Sequence, residues 1–108
     1  MLAKQHYQNL EASYKKLIQK HPNLELPEWK LNNLGLQLTF NPKTSQQGIS
    51  IFKFAVYLYP KSANLFDSLA EAYLFLNDKE NAIINFKKSL ALNPENQNAI
   101  DRLKELNK

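Results

Sequence analysis

The sequence predicts an all-α fold of antiparallel helix pairs, and three observations carry that expectation. Apolar residues recur at helical spacing through six separate segments. No segment alternates with the period of two that marks a half-buried strand between hairpin turns. Only two glycines and five prolines occur in 108 residues, too few for a loop-rich all-β chain, and every proline falls at or between the ends of the apolar segments.

The first segment covers about 3–20, with Tyr7, Leu10, Tyr14, Leu17 and Ile18 on one face and Lys15, Lys16 and Lys20 off it. Pro22 and Pro27 bracket "HPNLELP", an extended connection, because a residue before proline is held out of the helical region. The second segment covers about 28–40, with Leu31, Leu34 and Leu38 on one side, and ends in the turn "NPKTS". The third, about 46–58, carries Ile49, Phe52 and Val56 and is followed by Pro60. The fourth runs from Ala63 to Leu76 with Ser62 as its N-cap. "ND" turns the chain into a fifth segment, about 79–92. Asp78 and Glu80 lie at its positive end and Lys87 and Lys88 toward its negative end, as the helix dipole favours. Pro94 follows. The sixth, 96–106, shows Ile100, Leu103 and Leu106 against a polar background, the thin stripe of a helix that caps a stack.

Length and charge narrow the function classes. The chain is one domain's worth of sequence. Its net charge is +4, with residues 1–62 basic and residues 63–108 slightly acidic. Only one of its fourteen basic residues is arginine, the commonest reader of bases and phosphates, so nucleic-acid binding is not expected. Cysteine is absent, which removes disulfides and cysteine metal sites. The most apolar run, "ISIFKFAVYLY", is short and contains Lys53, so no membrane span is expected. His6 and His21 stand about 22 Å apart along one helix and cannot share a metal. Asp67, Glu71 and Asp78 are separated acids without a setting for acid–base work. There is no glycine-rich phosphate loop and no Gly-x-Ser-x-Gly elbow. Neither catalysis nor a cofactor or metal is expected.

An internal comparison is more informative. Shifted by 35, Leu31, Leu34, Gly35 and Leu38 fall on Phe66, Leu69, Ala70 and Tyr73. Shifted by 34, Gly48, Phe52, Ala55 and Pro60 fall on Ala82, Phe86, Ser89 and Pro94. The shifts differ because the first unit has one more residue in its turn. Large apolar residues recur where helices bury a seam, and small ones recur where helices approach closely. The second unit, "FDSLAEAY", "AIINF" and Pro94, resembles the tetratricopeptide repeat with its internal spacings intact; the first is a degenerate copy with Leu for both aromatics. The resemblance implies helix pairs stacked as a short right-handed superhelix. Its expected divisions are an N-terminal packing helix and connection (1–26), repeat one (27–60), repeat two (61–94) and a C-terminal capping helix (95–108). Trp29 is expected to fill the corner between the first helix and repeat one.

The same resemblance implies that the first helix of each pair lines a concave groove. The candidate groove residues are then Asn32, Leu36, Thr39 and Phe40 from the first unit and Asn64, Asp67, Glu71, Leu74 and Phe75 from the second. Two readings stay open: a groove for an extended peptide or helix, or a surface covered by the chain's own segments. Leu36 and Ser68 interrupt the Lys, Asn and Arg set with which some family members grip a carboxylate tail, so that ligand is not expected. More broadly, "HYQNLEASYKKL" and "LPEWKLNNLGLQL", followed by the repeats, resemble the C-terminal tail of bacterial α/β-hydrolase esterases. That implies an accessory domain whose catalytic partner domain is absent from this chain, with an exported location possible only through such a parent and the cytoplasm the default. The expected partners are a protein, a peptide or a covalently linked hydrolase domain. The alternative is a freestanding adaptor that self-associates, possible as a homodimer, through its groove.

Overall fold

The computed structural model describes residues 10–23 and 25–107. His6, Tyr7 and the first helix before residue 10 lie outside that set, as do the side chains of Leu10 and Leu17. Among the described residues the chain is all-helical: α1 (Leu10–Lys20), α2 (Glu28–Thr39), α3 (Ser45–Leu58), α4 (Ala63–Phe75), α5 (Lys79–Leu92) and α6 (Gln97–Leu106).

The helices start and stop for local reasons. Ser62 caps α4 by accepting a hydrogen bond from Leu65 N at 3.1 Å, and Asp78 caps α5 by accepting from Asn81 N at 3.2 Å. Asn96 caps α6 by accepting from Ala99 N at 3.4 Å. Each satisfies an amide that the first turn leaves without a partner. Between α4 and α5 the chain turns at Asn77, whose φ of 62° is the one positive value among the described residues. Asn77 N donates to Leu74 O at 3.0 Å and Asp78 N donates to Tyr73 O at 2.9 Å, the paired bonds of a Schellman motif. The α2–α3 turn is two residues longer, five against three, and uses hydroxyls instead: Thr44 Oγ1 donates to Leu38 O at 2.7 Å and Ser45 Oγ donates to Thr39 O at 2.8 Å.

Consecutive helices pair antiparallel. Gly35 faces Phe52, and Gly48 faces Thr39, so four residues forward on α2 are four residues back on α3. A Cβ on Gly35 would lie 2.6 Å from the Phe52 ring, and one on Gly48 would lie 2.7 Å from Thr39 N. Neither glycine has positive φ. They are needed for room rather than torsion, and they are the chain's only two. In the α4–α5 pair the matching positions are Ala70 and Ala82, both fully buried beside Phe86.

Helices of the first kind, α2, α4 and α6, lie side by side and parallel. Ser68 Oγ donates to Asn32 Oδ1 at 2.7 Å, and further along the same two helices the Phe40 and Phe75 rings meet at 5.4 Å. Asn98 bonds Asp67 and Arg102 bonds Glu71, so α4 and α6 advance together in the same way. Helices α3 and α5 form the opposite layer, in a body of 48 × 30 × 18 Å about two helix diameters thick. One core cluster joins α2, α3 and α4 through Leu31, Phe52, Leu65 and Leu69; the second joins α4, α5 and α6 through Ala70, Phe86 and Ala99. Ser89 ties three helix ends together: it is fully buried, donates to Ala63 O at 2.7 Å and accepts from Asn96 Nδ2 at 2.8 Å. Tyr14 packs α1 edge-on against Phe54 of α3 at 5.6 Å.

Two sequence expectations are corrected. The buried side of α2 is Leu31, Gly35 and Thr39, whereas Leu34 is exposed. Trp29 is 62% exposed and does not fill a core corner. It precedes Leu31 by two residues, roughly 200° around a helix of 3.6 residues per turn, and so points away from the core; Lys30 Nζ lies 5.6 Å from its ring.

Two substitutions test this architecture. Gly48→Ala gains helix propensity of about 1 kcal/mol, but its methyl meets Thr39 backbone that moves only with the whole helix, and overpacking costs about 1–3 kcal/mol. A lower urea midpoint is expected, and an unchanged one would show that α2 and α3 lie farther apart. Asn77→Val should cost about 1–2 kcal/mol, because a β-branched residue resists the left-handed region, while Asn77→Gly should be neutral or stabilising. Equal melting temperatures for the Val and Gly variants would exclude the Schellman turn.

Candidate interaction surface

The parallel helices α2, α4 and α6 present one outer face, and the candidate residues distribute over it unevenly. On α2, Trp29, Leu36 and Phe40 fall within a narrow arc, since steps of seven and four residues nearly close whole turns. On α4, Asn64, Asp67, Glu71 and Phe75 do the same. Phe40 and Phe75 are equivalent positions one repeat apart. They are 58% and 44% exposed, and their planes cross at 83°, the edge-to-face geometry that aromatic quadrupoles favour. Asn32 is half-buried and is engaged by Ser68. Asn64 is exposed.

Three candidates are occupied elsewhere. Thr39 has no exposed surface; it sits in the α2–α3 seam against Gly48 and cannot line an open groove. Its Oγ1 is a buried polar atom without a hydrogen-bond partner. Leu36 is half-buried and packs against the first core cluster, and Leu74 packs against the second. Their apolar character is therefore partly explained by the chain's own core. Phe40 and Phe75 are not explained in that way.

Helix α6 supplies residues that the sequence reading missed. Asn98 Nδ2 donates to both carboxylate oxygens of Asp67 at 3.0 Å and to Glu71 Oε2 at 2.9 Å. Arg102 Nε donates to Glu71 Oε2 at 2.8 Å, and its Nη1 reaches Glu105 Oε2 at 3.4 Å. Gln97 Nε2 donates to Asp101 Oδ1 at 2.8 Å. A signal for these residues was present: Asn64, Asp67 and Glu71 recur as Asn98, Asp101 and Glu105, each 34 residues on. Helix α6 thus copies the surface of α4 as well as covering its end.

The charges here perturb one another. Burial pushes the Asp67 carboxyl above its ordinary value, and the neighbouring Glu71 charge pushes it the same way; Asn98 and the Arg102 guanidinium pull against them. The hydrogen bond to Glu71 raises the Arg102 pKa and keeps it charged. Asp78, at the α5 cap, is held below the ordinary carboxylate range, chiefly by Asn81.

Elsewhere, an open cleft of about 360 Å³ lies between Tyr14 of α1, the connection Glu25–Leu26–Pro27, and Leu58 and Tyr59 at the end of α3. Tyr59 Oη donates across it to Leu26 O at 2.6 Å. His21 is exposed just past α1. Among the described residues no group of three or more His, Cys, Asp or Glu side chains is placed to hold a metal, and no helix is long and apolar enough to cross a membrane.

These features define an all-α protein of stacked helix pairs with an aromatic and acidic outer face. Comparison with models of known protein families finds no match, and comparison with curated proteins finds none either.

Asp67 yields a pH test. An acid whose pKa is raised by folding favours the folded state below its unfolded value, and that contribution is lost as pH rises through the folded value. Asp67→Asn is therefore expected to raise the melting temperature at neutral pH, with the gain shrinking toward about pH 3, where the carboxyl is protonated anyway. A loss at neutral pH would show that Asn98 and Arg102 outweigh the burial, and a gain independent of pH would show that the Asp67 charge is not its source.

Proposed function

We propose that this chain is a non-catalytic interaction module of the tetratricopeptide kind, which holds a protein or peptide on the face of α2, α4 and α6. The observation that carries this reading is the exposed Phe40–Phe75 pair. Two large rings at equivalent repeat positions stay in water on a face where Leu36 and Leu74 already satisfy the core. An aromatic surface of this sort loses its contact with water when a partner covers it, and aromatic anchors are enriched among the residues that dominate binding.

The repeat geometry supports the tetratricopeptide assignment. The starts of α2 and α4, Glu28 and Ala63, are 35 residues apart, and those of α3 and α5, Ser45 and Lys79, are 34 apart. The cap bonds Tyr59 N to Ala55 O and Asn93 N to Ser89 O, both 2.8 Å, recur at 34 residues. A narrower proposal rests on the esterase-tail resemblance: the module packs on, or recruits a partner to, a hydrolase domain.

The test is selection of peptides from a random library on the folded chain, followed by amide chemical-shift mapping of the selected sequences. Selected peptides should perturb α2, α4 and α6 and lose affinity on Phe40→Ser/Phe75→Ser with little change in melting temperature. Peptides that map to α3 and α5, or none selected at all, would reject the reading. Light scattering that shows a dimer dispersed by the same double substitution would favour the self-associating adaptor.

A further inference from the structure

The face just described is chemically one-sided, and that specifies what can lie on it. Its α2 edge is aromatic, with Trp29 62% and Phe40 58% exposed, and Phe75 continues it onto α4 at 44%. Beyond Phe75 the surface is anionic. Asp67 and Glu71 on α4 and Asp101 and Glu105 on α6 stand on the same layer, and the cation bonded to them is Arg102, shared between Glu71 and Glu105. Four carboxylates against one guanidinium leave this cluster net negative, in a chain whose overall charge is +4; Lys104, the other cation on α6, reduces the excess on the two helices to two negative charges without removing it. Lys30 stands beside Trp29 at the far end of α2, which leaves the excess negative charge on α4 and α6.

From this complementarity we infer that the face docks a cationic segment of a partner protein, with an apolar residue seated on Phe40 and Phe75 and lysine or arginine side chains over Asp67, Glu71, Asp101 and Glu105. The inference rests on the interaction-module reading and adds the chemistry of the occupant. Burial and the Glu71 charge both make an ionised Asp67 costly in the free protein, and an incoming cation relieves the second of these. The acids are repeated in register, Asp67 with Asp101 and Glu71 with Glu105, so a partner with two basic residues meets two similar rows. Complementary charge of this kind sets which partner is accepted and how fast it arrives more than it sets raw affinity. An acidic partner would meet like charge.

Trp29 lies on the α2 edge of the face and is the chain's single tryptophan, so its fluorescence serves as one readout beside the amide chemical shifts of α2, α4 and α6. The experiment titrates the full chain with a short synthetic lysine–leucine peptide, its glutamate-for-lysine counterpart and its alanine-for-leucine counterpart. Saturable binding of the lysine–leucine peptide alone is expected, and it should weaken as salt screens the exposed charges. Asp101→Lys/Glu105→Lys, both at exposed positions, should lower its affinity at least about tenfold and admit the glutamate peptide. Phe40→Ser/Phe75→Ser should cost a similar factor. Thermal melts of both variants check that the fold is kept. If the glutamate peptide binds equally well at this face, the module reading stands and the cationic occupant is overturned. If the charge-reversed variant binds the lysine peptide unchanged, the occupant is overturned likewise. If none of the peptides binds, both fail. Concentration-dependent self-association abolished by the same two variants would make a second copy the occupant and overturn the proposal.

Discussion

The close approach of α2 to α3 is the constraint on which the rest of the structure depends. At Gly48 a side chain would meet the backbone of Thr39, and at Gly35 it would meet the ring of Phe52. Phe52 has no exposed surface, so that ring has nowhere to move. A seam this tight holds α2 fixed on α3, and α3 in turn carries Leu65 and Leu69 of α4 through the first core cluster. Rigid placement of α2 beside α4 then brings Phe40 to Phe75 and Asn32 to Ser68. The tightness has a cost. Thr39 is closed into the seam with a hydroxyl that finds no acceptor or donor, a penalty of about 1–3 kcal/mol for a buried unpaired polar group.

The second pair solves the same problem with different chemistry. Ala70 and Ala82 replace the glycines, Leu74 replaces Thr39, and the shorter turn needs Asn77 in the left-handed region where the first pair uses two hydroxyls. Alanine retains helix propensity that glycine loses, and a leucine leaves no orphaned polar atom. At the following junction Ser89 takes the place of Ala55 and reaches both Ala63 O and Asn96. The buried bond is tolerable because both of its neighbours are also satisfied. One architecture is thus built twice, once by removing side chains and once by fitting them.

Most of the fold was legible in the sequence because its punctuation is strong. Ser62, Asp78 and the prolines mark ends by satisfying or removing amide donors, and those effects act within a few residues. The face of α2 was not legible in the same way. Leu31, Leu34 and Leu38 line one side of the helix, so apolar periodicity points to a stripe rotated away from the buried one, which is Leu31, Gly35 and Thr39. Gly35, the residue that marks the seam, has no hydropathy to contribute. Trp29 was misplaced for the opposite reason: size and hydropathy suggest burial, while its angle from Leu31 places it in water. The candidate surface was half legible. Phe40, Phe75, Asp67 and Glu71 could be named from repeat position, but their partners on α6 were hidden because a thin apolar stripe reads as a cap and nothing more.

That dual character of α6 follows from repetition itself. A helix that ends a stack must bury one stripe and solvate the other, and Ala99, Leu103 and Leu106 supply the stripe. Solvation alone could be met by any polar residues. Instead α6 carries Asn98, Asp101 and Glu105 in the register of Asn64, Asp67 and Glu71, and it adds Arg102 where α4 has Ser68. The copied acids bring like charges onto one face, which is unfavourable, and Arg102 offsets part of that by bridging Glu71 and Glu105. Asn98 offsets another part as a neutral donor to Asp67 and Glu71 together. An arrangement that gathers four carboxylates with one guanidinium holds α6 to α4 through hydrogen bonds and leaves the cluster itself net negative. On the proposed reading structure and recognition draw on the same side chains: Asp67 and Glu71 hold α6 to α4 through Asn98 and Arg102, on the face that also carries two exposed aromatic rings.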